Sequence, residues 1–61
     1  MNINEEMKNS YDVIAQKKNG KVTVIYEAGS GMKSSYASVL EYTEDYNRLG
    51  LRGIVMECIN G

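Results

Sequence analysis

Asn19-Gly20 sits between two runs of alternating polar and apolar residues, and it limits the fold of this chain more than any other pair. Both turn positions of a two-residue hairpin require positive φ, which asparagine and glycine tolerate, so the pair predicts a β-hairpin. On the entering side Tyr11, Val13 and Ala15 alternate with Asp12, Ile14 and Gln16. On the return side Val22, Val24 and Tyr26 are expected on one face and Thr23, Ile25 and Glu27 on the other. The hairpin is assigned to residues 9–28, after a polar lead-in over 1–8 that frays or starts a short helix.

Gly29-Ser30-Gly31 interrupts the second strand, and Ser34 or Ser35 is a candidate helix cap. Tyr36, Val39, Leu40, Thr43 and Tyr46 then recur at three- and four-residue intervals. Tyr42, Tyr46 and Leu49 form a second stripe beside them. The spacing predicts a helix over 34–49, stopped by Gly50. Residues 51–60 read as a third strand, with Leu51, Val55 and Ile59 on one side and Ile54, Met56 and Cys58 elsewhere. The expectation is therefore a single domain over 1–61 of the α+β class. Its order is β-β-α-β, an antiparallel three-stranded sheet packed with one helix.

A chain of 61 residues buries a small fraction of its surface and commonly needs a disulfide, a metal or a partner subunit. One cysteine closes no internal disulfide, and without histidine it anchors no ordinary zinc site. Self-association is left as the expected helper, and apolar residues on both faces of the last strand point the same way. The same two facts remove histidine-based triads and paired-thiol redox chemistry, so the expected class is not an enzyme and no cofactor is expected. Seven basic and eight acidic side chains give a net charge of −1, against a protein that lives on phosphate contacts. No apolar run reaches membrane-spanning length, and the polar start is unlike a signal peptide. With one unpaired cysteine, a cytoplasmic location is the expectation.

Glu27-Ala28-Gly29-Ser30-Gly31-Met32-Lys33-Ser34 joins a strand to a helix but lacks the glycine spacing of a phosphate-binding loop. It reads as a turn with a cap. Glu41, Glu44 and Asp45 gather three carboxylates in five residues. Such a run is usually a solvated face, and its functional alternative is a row of groups standing where DNA phosphates would stand. Five tyrosines with no Phe or Trp divide between core packing and an interface, where a ring that is apolar on its body and wet at its tip is favoured.

Ser10-Tyr11-Asp12-Val13, Gly20-Lys21, Tyr26 and Gly29, Val39-Leu40, Thr43-x-Asp45 and Leu51-Arg52 fall in an order that resembles the short uracil-DNA glycosylase inhibitors of small Bacillus podophages. The resemblance covers about residues 1–55. It implies a phage protein, acting in the cytoplasm of the infected bacterial host as a homodimer. It also implies binding to the host uracil-DNA glycosylase at its DNA groove in place of DNA. An apolar socket takes the side chain with which that enzyme wedges open the duplex, and carboxylates around it replace phosphates. On this resemblance Tyr36, Val39, Leu40 and Tyr42 line the socket or the dimer seam, and Glu27, Glu41, Glu44 and Asp45 are the phosphate mimics. The glutamate expected directly after Tyr36 is absent, since Ala37 stands there, and Glu41 lies one turn on. Two other classes stay open: a small dimeric nucleic-acid-binding regulator, and an interaction module aimed at a different host enzyme.

Overall fold

The computed structural model describes residues 3–57. A short helix, α1 (Glu5–Ser10), opens the chain, with the Asn4 side chain accepting the Met7 N–H at 2.9 Å as its cap. The hairpin follows as β1 (Val13–Lys18) and β2 (Lys21–Glu27). Asn19 and Gly20 take φ values of 53° and 80°, the doubly positive turn that the pair was expected to make.

Three features depart from the expected fold. The first is a two-residue strand, β3 (Ser35–Tyr36), which pairs antiparallel to β2 through Val22 and Thr23. The second is the start of the main helix, α2 (Val39–Arg48), five residues later than the assigned 34–49. Neither Ser34 nor Ser35 caps it; Ser38 does, its hydroxyl accepting the Glu41 N–H at 3.2 Å. Tyr36 is consequently a strand residue. The third is the last strand, β4 (Gly53–Glu57), which runs parallel to β1. The sheet is mixed and four-stranded, in the order β3-β2-β1-β4, in place of the expected three antiparallel strands. Residues 58–60 of the assigned third strand, with Cys58 and Ile59, lie outside the described residues.

These departures have a common cause. By turning back along β2, β3 reverses the chain once more before α2, so the helix delivers β4 in the same sense as β1. The outer edge of β2 is already occupied, and β1 offers the open place.

A register shift between Ile14 and Ala15 leaves Ile25 without an opposite residue, a β-bulge in β2. It moves Tyr26 to the face of Ile14, away from Val22 and Val24, correcting the expected alternation. One face carries the core, Val13, Ala15, Val22, Tyr36 and Tyr42, with Val24, Met32, Val39, Tyr46, Leu51 and Val55 packed around it. On the other face Ile14 is fully buried, and the Lys8 ammonium of α1 lies 5.5 Å from the Tyr26 ring centre. After α2, Gly50 takes φ 74° and Leu51 N–H returns to the Tyr46 carbonyl at 2.9 Å, closing the helix as expected. Among the described residues no helix is long and apolar enough to cross a membrane.

Candidate functional site

The eight expected site residues separate by what surrounds them. Tyr42 is wholly buried. Its hydroxyl donates to the Ile54 carbonyl at 2.8 Å and lies 3.4 Å from that of Val13, so it ties α2 to β1 and to the edge strand β4. Burial pushes its phenol up to about 12. The Tyr46 ring packs edge-on against it at 5.0 Å and rests directly on Gly53, where an added methyl would overlap it. Val39 also packs inward. These side chains hold the helix in place.

Tyr36, Glu41, Glu44 and Asp45 come together. With Lys33 and Arg48 they line a shallow groove of about 300 Å³ between β3 and α2. At its floor the Tyr36 hydroxyl donates to Asp45 Oδ2 at 2.5 Å and accepts the Lys33 N–H at 2.9 Å. Arg48 donates to the other Asp45 oxygen. Hydrogen bonding from Tyr36, then from Arg48, holds the Asp45 carboxyl below its ordinary range. Burial and the Asp45 bond together raise the Tyr36 phenol. A carboxylate held this way is a fixed charge and a poor proton acceptor. Glu41 and Glu44 are exposed, and neither forms an ion pair among the described residues. They carry the net negative charge of the groove rim.

Glu27 stands apart. Its carboxylate accepts the Met32 N–H at 3.2 Å and steadies the loop after β2. It borders a second shallow groove of about 320 Å³ with Ile25, Tyr26, Met32 and Lys33. Leu40 lines neither groove and is 66% exposed, the most exposed large apolar side chain described.

Lys33 and Arg48 belong to the groove although sequence reasoning left them out. Arg48 was signalled by its spacing of three from Asp45 on a helix. Lys33 had no such signal; it precedes β3, and its backbone N–H donates to the Tyr36 hydroxyl three residues on. Among the described residues no group of three or more metal-ligating side chains occurs. The groove offers fixed charge and hydrogen bonding on a shallow surface, and Leu40 is exposed elsewhere on the same helix. Comparison with family models, curated proteins and solved structures found no match.

Proposed function

We propose that this chain is an inhibitor protein that binds a uracil-DNA glycosylase at its DNA-binding groove by imitating DNA, and that it does so as a homodimer without catalysis of its own. The observation that carries the reading is the outward side of α2, where Glu41 and Glu44 form no ion pair among the described residues and lie beside an Asp45 held ionised by Tyr36 and Arg48. Carboxylates gathered on one side of a helix oppose a basic DNA-binding face, and they accelerate encounter more than they tighten the final complex. Leu40, exposed one residue before Glu41, supplies apolar contact beside the charges. Tyr42 and Val39 serve from within, fixing the helix that presents them. Glu27 acts on the loop and, through it, on Lys33. The setting is the cytoplasm of an infected bacterium, where blocking uracil excision protects a phage genome.

The test is uracil release from a uracil-bearing oligonucleotide by purified glycosylase, with and without this protein. Excision is expected to stop at stoichiometric amounts, and undiminished excision overturns the reading. A mobility shift on DNA alone distinguishes the nucleic-acid-binding alternative, for which Lys17, Lys18 and Lys21 around the hairpin turn are the supporting feature. The inhibitor leaves free DNA unshifted.

A further inference from the structure

Met32 links the two grooves. It follows the Gly29-Ser30-Gly31 break between β2 and β3, and its N–H is held by the Glu27 carboxylate at 3.2 Å. The residue is half-buried: it packs against the core and lines the second groove beside Val24, Ile25 and Lys33. Its sulfur also reaches the floor of the first groove, 3.7 Å from the Tyr36 hydroxyl oxygen. Met7 and Met56 are half-buried as well, but no hydrogen bond to either sulfur occurs among the described residues.

The Tyr36 hydroxyl has one hydrogen and three polar neighbours. The hydrogen goes to Asp45 Oδ2 at 2.5 Å, because an ionised carboxylate is a far stronger acceptor than a thioether. A lone pair of the same oxygen takes the Lys33 N–H at 2.9 Å. The Met32 sulfur therefore lies against the hydroxyl with its own lone pairs uncommitted, on a residue that meets solvent through the second groove. Such a thioether keeps its nucleophilic character and stands within reach of a small oxidant.

We propose that Met32 is a site of oxidation by peroxide, and that its sulfoxide loosens the Tyr36–Asp45 anchor of the α2 carboxylates. In the reaction a sulfur lone pair attacks the near peroxide oxygen. The O–O bond breaks as the S–O bond forms, and the proton on the near oxygen passes to the far one, which leaves as water. Sulfur is oxidised by two electrons and the peroxide is reduced by the same two. The product exchanges a weak acceptor for a strong, polar one. Beside Tyr36 the new oxygen finds a hydroxyl whose hydrogen is already given away. It either draws that hydrogen from Asp45 or pushes the hydroxyl aside, and both routes weaken the same bond. Asp45 keeps Arg48 and stays ionised at neutral pH, so what changes is where the carboxylate is held and not its charge. The first groove is thus altered by chemistry in the second.

The test uses the full chain, with dilute hydrogen peroxide as the probe. Trypsin releases residues 22–33, in which Met32 is the sole methionine, so mass spectrometry reads its oxidation directly. That peptide is expected to gain one oxygen while the far-ultraviolet circular dichroism spectrum of the intact chain is unchanged. The Asp45 carboxyl, followed by carbon-13 NMR, should then titrate higher than in the untreated chain, because hydrogen bonding from Tyr36 is the largest cause of its depression. Met32→Leu should abolish the peroxide effect on Asp45 although Met7 and Met56 remain. The inference is overturned if Met32 stays a thioether until the fold is lost, if oxidised Met32 leaves Asp45 unmoved, or if Met32→Leu responds as wild type does. Should Met32→Leu fail to fold, a synthetic chain carrying the sulfoxide at position 32 alone decides. A raised Asp45 titration in that chain supports the link, and an unmoved one or an unfolded chain overturns it. None of these readouts involves the glycosylase, so the proposed function and this site stand or fall separately.

Discussion

The inner stripe of α2 and its outer side share one ten-residue helix and do opposite work. Tyr42 and Tyr46 face inward, one bonded to strand carbonyls and the other pressed on Gly53. Leu40, Glu41 and Glu44 face outward and touch little. Sequence periodicity places all of them on a helix, but residue type alone does not separate exposed Leu40 from Val39 and Tyr42, which are committed to the fold. Burial makes that division, and it leaves the charged residues and one leucine for a partner.

The division can be broken most severely from inside. Tyr42→Ala should destabilise the chain by about 3–5 kcal/mol, the range for truncating a large buried aromatic. Denaturant unfolding checks this, and a loss under about 1 kcal/mol would mean the ring is not the keystone described. Gly53→Ala should follow at about 1–3 kcal/mol, because the Tyr46 ring must move to admit a methyl group. Thermal melts of Gly53→Ala and of its combination with Tyr46→Ala sharpen the point: the second change should relieve the overlap, so the two losses add to more than the pair shows together.

Acidity tests the same division. The Tyr42 phenol titrates near 12 in the fold against 10 when free, so folding favours its protonated form. The stabilisation is complete below pH 10 and disappears as pH climbs toward 12, and Tyr42→Phe should flatten that alkaline limb. Asp45 has the opposite sign. Its carboxyl is depressed below 3.8, so its contribution is present above that pH and is lost as pH falls through the folded value. Tyr36→Phe removes the largest cause and should make the acid limb shallower, read from melting temperatures below pH 4. The smallest effect on stability belongs to the outer flank: Glu41→Gln with Glu44→Gln should change it by under about 0.5 kcal/mol. The same pair should slow association with the glycosylase several-fold at low salt, measured by stopped flow, and much less at high salt.

The hairpin was legible because its signal is local: Asn19-Gly20 and the alternation beside it are sufficient. The bulge at Ile25 was not, since Val22, Val24 and Tyr26 keep an unbroken alternation in sequence across it. The start of α2 had a readable signal in Ser38-x-x-Glu41, the spacing of a capping box, which the more prominent Ser34-Ser35 pair obscured. Strand β3 carries no period at two residues, and with it went the direction of β4. At the site, the carboxylates of α2 were found from composition and spacing. The burial of Tyr42 and the anchoring of Asp45 by Tyr36 are tertiary facts, fixed by a strand that the sequence hardly announces.

The reversal at β3 also sets a rule for anyone who redesigns this molecule. Because Ser35 and Tyr36 turn the polypeptide around, excising the stretch between Glu27 and Val39 would do more than shorten a linker: it would change the parity of the path and deliver the terminal segment head-to-tail wrong for its slot. Insertions that preserve the reversal should be accepted there, while deletions that erase it should yield a different topology altogether.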